Sequence, residues 1–448
     1  MNPTPSPDTD KAVYRKVTRR LIPFLFLCYI LSYVDRVNVG FAKLQMRQDL
    51  GMSDTMYGIG MGIFFIGYFF LEVPSNMMLQ KVGARRWIGP IMIVWGLVSS
   101  ACMYAKTPAI FYTLRFLLGT VESGFFPGVV LYLTFWYPRA YQAKTISMFM
   151  SAIALAGAFG SPVSGWIMAR TAHTGGLAGW QWLFLIEGIP CVVVGIVALY
   201  YLDDGPRSAQ WLSTDERALL INRLAEEEAL KKSQGGCSHS LADAFKSPKV
   251  WLLCLVYFGI VVANYFVGFW MPEMIKEKFT KDPWQIGLIS VIPWGFGAIS
   301  MIYWGHRSDV TGDRRWHLAG AMITAAVFLV FTGLQGLPSV VGIAVLAMVV
   351  AGIMASISTF WALPTSILSG AAAAAGIAWI NSVGNLGGFV SPYLIGWIRD
   401  HSKNPMYPAL VVAAFCLMSA AVTLMATKRS STPVAAVPEF SAGQLGQE

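Results

Sequence analysis

A chain of 448 residues in which 55% are hydrophobic and only 13% are charged carries too little charge for an ordinary water-soluble domain. Its apolar residues are gathered into long runs without a strand or amphipathic-helix period, so an all-α membrane protein that crosses the bilayer repeatedly is expected. The formal net charge of +9 does not require a nucleic-acid partner, because the basic residues lie between the runs as membrane topology demands.

Twelve transmembrane helices are predicted, at residues 21 to 41, 56 to 79, 87 to 105, 109 to 135, 145 to 169, 180 to 202, 250 to 271, 284 to 304, 316 to 336, 339 to 363, 373 to 398 and 407 to 427. Residues 1 to 20 read as an N-terminal segment, 21 to 202 as a first six-helix bundle, 203 to 249 as a hydrophilic linker, 250 to 427 as a second six-helix bundle and 428 to 448 as a tail. The first ten residues are polar and Pro-rich, and the run that follows holds Asp35 and Arg36 and no small-residue cleavage site. The first helix is therefore expected to remain in the mature chain.

An acid and a base side by side within a membrane span are expensive and mark function. Counting from Leu21, Asp35 lies roughly 21 Å into a hydrocarbon core about 30 Å thick, past the midplane. Tyr29, Tyr33, Arg36 and Gly40 recur at helical spacing and form one polar stripe, which should face protein or water. In the second span Glu72 precedes Pro74, where a gate or loop contact is expected. The fourth span carries Arg115 about 9 Å deep, so that it can pair with Asp35, and Glu122 two turns further along the same face.

The fifth span is Gly-rich from Gly157 to Pro162, a pattern similar to one found in proton-driven drug exporters but better read as close helix packing. In the sixth, Glu187 stands before Gly188 and Pro190 and fits either packing or a gating contact. The linker contains charged residues from Thr214 to Lys232 that suit a surface helix. The second bundle offers Asn264, Tyr265, Ser358, Trp361, Asn381 and Asn385 to a central pocket, facing Tyr33 and Tyr68 of the first. All five histidines fall in loops or at span ends, so any proton coupling must use carboxylates. The six cysteines, at 28, 102, 191, 237, 254 and 416, lack paired or metal-ligand spacing; neither a disulfide framework nor a metal site is expected.

With both termini on one side, 22 of the 33 Lys and Arg fall on that side, 9 on the other and 2, Arg36 and Arg115, within spans. This asymmetry predicts cytoplasmic termini. An internal repeat is also present. Gly83, Arg85, Arg86 and Trp87 after the second span match Gly312, Arg314, Arg315 and Trp316 after the eighth. In the fifth, Phe159, Ser161, Pro162, Gly165, Trp166 and Ile167 match Phe389, Ser391, Pro392, Gly396, Trp397 and Ile398 in the eleventh. Six spans separate the copies, so the halves share one orientation about an axis normal to the membrane.

On these motifs the chain resembles a major facilitator superfamily transporter. The resemblance rests on Gly305, His306, Arg307, Ser308, Asp309, Gly312, Arg314 and Arg315, and on a weaker first copy in which Leu79 replaces the acid. It implies a gating-loop role for Gly83, Arg85, Arg86, Asp309, Arg314 and Arg315. The residues from Tyr33 to Asn38, Pro74 to Asn76, Arg115 with Glu122, Phe125 to Gly128 and Asn381 to Asn385 resemble the anion:cation symporter family. Its members import tartrate-like and sugar-acid anions or aromatic carboxylates.

The expected function is import of a small organic anion by proton symport. Arg36 would bind the substrate carboxylate through its planar fork, and Asp35 and Glu122, with Arg115, would carry protons; the resemblance implies the same roles. A structural ion cluster of Asp35, Arg36 and Arg115 is the competing reading of those residues. The expected partners are the anion, protons and membrane lipid, with no cofactor, a monomer as the working unit and the bacterial inner membrane as its location. A proton-driven exporter of drugs or metabolites is the nearest rival, and a transporter-like receptor or channel a further one. No nucleophile and base can be placed together for an enzyme, and no phosphate-binding loop suggests ATP drive.

Overall fold

The computed structural model describes residues 7–233, 247–367 and 371–426, and every regular element among them is a helix. The first span is α1 (Pro7–Val37) followed by α2 (Val39–Asp49). The Asn38 amide donates to the Val34 carbonyl at 2.8 Å, so the helix continues across the junction. Residues 7 to 20, expected as a separate segment, are helical and continuous with the span. Nothing in that stretch breaks a helix, and polarity stops membrane burial without stopping hydrogen bonding.

The second and third spans are α3 (Asp54–Val82) and α4 (Arg85–Ala101). The fourth is α5 (Pro108–Glu122) and α6 (Phe125–Thr134), and the fifth α7 (Arg139–Met150) and α8 (Ala152–Arg170). The sixth span is α9 (Gly179–Tyr201), and the linker helix is α10 (Thr214–Ser233). The second half comprises α11 (Pro248–Lys278), α12 (Pro283–Thr311), α13 (Arg314–Thr332), α14 (Ser339–Phe360), the short α15 (Ala362–Ile367), α16 (Ala371–Asn385), α17 (Gly387–His401) and α18 (Met406–Ala426). Eleven of these helical stretches among the described residues are long and apolar enough to cross a membrane. The eleventh predicted span is α16 and α17 joined through Leu386, two helices of 15 residues each, and it carries Asn381, Ser382, Asn385 and Ser391.

The linker docks beneath the first half. Lys16 pairs with Glu216 at 2.7 Å, Arg223 with Asp10 at 2.8 Å, and Trp211 stacks on Trp136 with ring centres 5.7 Å apart. Residues 234 to 246 of the linker, with Cys237, and the predicted tail lie outside the described residues. The five described cysteines are buried and unpaired.

The repeat in the sequence becomes the contact between halves. α8 packs on α12, and α17 packs on α3, which are symmetry-equivalent pairs: fifth with eighth span, eleventh with second. A Cβ on Gly58 would run into the Pro392 carbonyl, and one on the matching Gly287 into the Ser161 carbonyl. Reciprocally, Gly396 meets the Asp54 carbonyl and Gly165 the Pro283 carbonyl. Small residues thus let the helices approach to backbone contact. These crossings all lie toward the end of the bundle opposite the linker, called the distal end below.

Gly58→Val and Gly287→Val should each cost about 1–3 kcal/mol by overpacking. Gly320→Val, where a side chain meets nothing within 4 Å, should leave thermal unfolding in detergent unchanged. Equal effects at all three positions would contradict a backbone-to-backbone interface.

Candidate functional site

Between the halves, midway along the bundle, lies a narrow cavity with about 40 Å³ of free space, room for only a few waters. Tyr29, Tyr33 and Arg36 of α1, Tyr68 of α3, Asn264 and Tyr265 of α11, and Asn381 and Asn385 of α16 face it. Three of the four residues of the stripe read from helical spacing thus face this cavity, and Gly40 lies against the backbone of Gly268 and Phe269. Tyr257 and Ile260, two turns and one turn before Asn264, extend the wall. Tyr257 went unnoticed in the sequence although it shares the seven-residue spacing of a common helix face.

Arg36 is the hub. Its Nη2 pairs with Glu122 Oε1 at 2.5 Å, with the two side chains only 8% and 0% exposed, and its Nη1 donates to the Tyr265 hydroxyl at 2.9 Å. The guanidinium carbon lies 5.2 Å from the centre of the Phe64 ring and 5.4 Å from that of Tyr68, where the ring quadrupoles favour a cation. Ser32 donates to the same Glu122 oxygen at 2.6 Å. A second bridge between halves runs from Asn264 Nδ2 to the Tyr33 hydroxyl at 3.1 Å.

Asp35 and Arg115 are placed differently from expectation. Successive residues on a helix are about 100° apart, so Arg36 faces the cavity while Asp35 turns behind it toward α4. There Asp35 accepts a hydrogen bond from Ser99 and a long one from Asn38 at 3.5 Å. Arg115 is fully buried, its guanidinium 5.2 Å from the Phe64 ring centre, and none of its nitrogens makes a hydrogen bond among the described residues. The expected Asp35–Arg115 pair is not formed; the close ion pair is Arg36–Glu122.

Ser358 and Trp361 do not reach the cavity wall. Ser358 donates to the Ala355 carbonyl at 2.9 Å and lies beside Gly305, and Trp361 packs edge-on against Tyr257, 4.9 Å between centres. Glu72 instead approaches from the linker side. It accepts hydrogen bonds from Asn381 at 2.5 Å and Ser382 at 2.7 Å, tying α3 to α16 below the cavity.

The loop residues hold each half to itself. Arg85 bonds through its backbone amide to Asp204 at 3.0 Å and through its guanidinium to the Leu199 carbonyl. Gly83 supplies a φ of 94° beside it, which a residue with a side chain adopts only with strain, and Arg86 is exposed. In the second half Asp309 pairs with Arg314 at 3.6 Å, Arg314 donates to the Ala362 carbonyl at 2.7 Å, and Arg315 to the Leu424 carbonyl at 2.5 Å.

At the distal end a buried ion network crosses between halves. Lys43 of α2 pairs with Asp54 at 2.9 Å and with Glu273 of α11, over the ring of Trp270. Arg399 of α17 reaches Asp54 at 3.4 Å, Glu273 at 3.7 Å and Glu277. Asp400 accepts from the Asp54 and Thr55 amides at 3.0 and 2.8 Å, an anion at the start of α3 where the helix dipole favours it. The sequence reading missed this network. Its cations sit at span ends and were indistinguishable from the loop charges that set topology.

Known proteins match this architecture. The Major Facilitator Superfamily model matches residues 25–392. A protein of Agrobacterium vitis named "Putative tartrate transporter" is 47% identical over 94% of this chain and 96% of its own length. A "Quinolone resistance transporter" of Acinetobacter baumannii is 39% identical over 95% and 98%. A structure titled "Partially occluded inward open conformation of the xylose transporter XylE from E. coli" superposes with a TM-score of 0.73, covering 93% of this chain and 99% of that one. At 14% identity it speaks for the fold alone.

Removing one partner from a buried ion cluster leaves charge uncompensated and costs about 3–5 kcal/mol. Lys43→Met should therefore loosen the distal end selectively, raising hydrogen–deuterium exchange at the ends of α2 and α11 while exchange in α10 stays constant. Unchanged distal protection would mean that the network does not hold the halves together.

Proposed function

The chain belongs to the major facilitator superfamily, as a transporter and not an enzyme, and on that premise we propose that it imports a small organic carboxylate together with protons by alternating access. The observation that carries this reading is the Arg36–Glu122 pair facing a polar cavity. Arg36 is charged at any physiological pH and presents a fork matched to a carboxylate. Glu122 occupies that fork when ionised and releases it when protonated. Proton and anion thereby bind together: a neutral Glu122 frees the guanidinium for the substrate, and a substrate carboxylate beside Arg36 takes over the compensating charge.

Transport then follows from which end is closed. Under this reading the linker end is cytoplasmic and the distal end faces outward, in the bacterial inner membrane. Protons and substrate enter with the distal ion network parted, the network re-forms behind them, and the Glu72 contacts to Asn381 and Ser382 part to release the cargo inside. Deprotonated Glu122 then reclaims Arg36. The two loops anchored by Arg85 and Arg314 keep each half rigid as it rocks.

The voltage favours such coupling, since carrying one negative charge into an inside-negative cell costs about 2.3 kcal/mol per 100 mV. One proton cancels a monoanion and a second reverses the sign, which gives Asp35 a role as a second proton site. The hydroxyl and amide groups of Tyr33, Tyr68, Asn264, Tyr265, Asn381 and Asn385 suit a hydroxyl-bearing acid, and similarity to the tartrate-named relative favours the same class. The resistance-named relative supports an exporter reading instead, but a drug pocket would be wider and predominantly apolar. A monomer contains every group this cycle uses.

The test is uptake of labelled tartrate and a panel of other carboxylates into proteoliposomes, with and without an inward proton gradient. Wild type should accumulate at least one acid only with the gradient. Arg36→Ala should abolish uptake, and Arg36→Lys should weaken affinity by about tenfold, equivalent to about 1.4 kcal/mol. Glu122→Gln should lose gradient-driven accumulation. Uptake indifferent to both the gradient and Arg36 would overturn the proposal, and gradient-driven efflux of quinolones would replace it with export.

A further inference from the structure

Behind the cavity wall, on the side of α1 away from Arg36, three buried acceptor atoms stand without a donor among the described residues: Asp35 Oδ2, Asn38 Oδ1 and Glu187 Oε2. They belong to one cluster. Glu187 of α9 accepts from Ser164 of α8 at 2.6 Å through its other oxygen, and the Asn38 side chain neighbours the Glu187 carboxyl with no hydrogen bond formed between them. Asn38 Nδ2 in turn faces Asp35 Oδ1 at 3.5 Å. No salt bridge reaches Glu187 among the described residues; the titratable groups around it are Asp35 on α1 and Cys191 one turn along α9.

Buried acceptors facing one another are costly, and almost all such groups in folded proteins find a donor. A proton supplies it here. With Glu187 in its acid form, its O–H donates to Asn38 Oδ1, and the Asn38 amide can donate to Asp35. With both carboxyls ionised, two negative charges share a pocket with no cation in ion-pair contact, since Arg115 acts on Asp35 only from a distance and Glu122 adds a further negative charge. A single shared proton would relieve this, and Glu187 and Asp35 are the two carboxyls able to hold it, with the Asn38 amide between them.

Depth gives the competition a direction. α9 starts at the distal end with Gly179, so Glu187 lies about 12 Å in, whereas Asp35 is fourteen residues before the distal end of α2, about 21 Å in. Glu187 is thus the carboxyl nearer the distal face. We propose that Glu187 is a proton-binding site of the transport cycle, which takes a proton from the distal side and stages it for Asp35. In the transfer the O–H bond at Glu187 breaks as an O–H bond forms at Asp35, with a water molecule carrying the proton between them. The hydroxyl of Ser164 holds the staging carboxyl in place. The inference rests on the proton-symport reading given above and adds a site to it.

Two measurements on the full-length protein test it. In the infrared spectrum of purified protein, Glu187→Gln should remove a protonated-carboxyl C=O band that titrates in wild type. In proteoliposomes, Glu187→Gln should keep tartrate counterflow to within about twofold but lower gradient-driven accumulation at least tenfold, with Glu187→Asp restoring part of it. Persistence of the full wild-type carboxyl band in Glu187→Gln, or gradient-driven accumulation equal to wild type, would overturn the proposal. So would a parallel loss of counterflow, accumulation and thermal stability, which is the signature of packing between α8 and α9. Wild-type uptake indifferent to the gradient would instead remove the symport reading itself, and this site with it.

Discussion

A guanidinium held within the hydrocarbon depth of a membrane must keep a counter-charge close, because neither lipid nor an apolar wall can solvate it. Arg36 satisfies this with Glu122 at 2.5 Å and the Tyr265 hydroxyl at 2.9 Å. Those two contacts point to different halves of the molecule. Glu122 belongs to the fourth span of the first half and Tyr265 to the first span of the second, so one side chain links the internal electrostatics of one bundle to its contact with the other. A change in what neutralises Arg36 is therefore also a change in what joins the halves.

The joining is unequal along the membrane normal. Toward the distal end, symmetry-related glycines bring α3 against α17 and α8 against α12, and the network of Lys43, Asp54, Glu273 and Arg399 spans the seam above them. Toward the linker end, Glu72 with Asn381 and Ser382 makes the polar crossing. Backbone-close packing gains many small dispersion contacts and is lost abruptly on separation. Charge pairs, once parted, can be rehydrated at the open end. The combination suits a closure that must be firm yet reversible.

Most of this was legible in the sequence for identifiable reasons. Apolar run length set the spans, and the two copies of the Ser-Pro and Gly-Trp-Ile pattern announced close helix packing because close approach tolerates few residue types, without saying that the packing joins the halves. Helical spacing put Tyr29, Tyr33 and Arg36 on the cavity. What depth alone could not supply was rotation: Asp35 and Arg115 lie at compatible depths, yet Asp35 faces Ser99 and Arg36 takes the nearby acid. Ser358 failed for the same reason, since its neighbour Ile357 lines the cavity and Ser358 is turned away from it, while Trp361 lies just past the end of α14 against Tyr257. The distal network was hidden because a charge at a span end carries no sign of whether it meets water or a partner.

The two halves also divide the chemistry. Asp35, Arg36, Arg115, Glu122 and Glu187 all belong to the first bundle, while the second faces the cavity with Tyr257, Asn264, Tyr265, Asn381 and Asn385. Formal charge at the membrane centre thus stays within one body, and the hydrogen bonds exchanged across the seam there always have a neutral group on the second bundle's side. Parting a buried ion pair between two moving bodies would leave each ion desolvated and unpaired, a cost of several kcal/mol. Parting a phenol from a guanidinium that keeps its carboxylate costs far less, on the order of one charge-assisted hydrogen bond, about 1.5–3 kcal/mol. Repeated rocking of one bundle against the other is feasible because the charges that recognise an anion travel together.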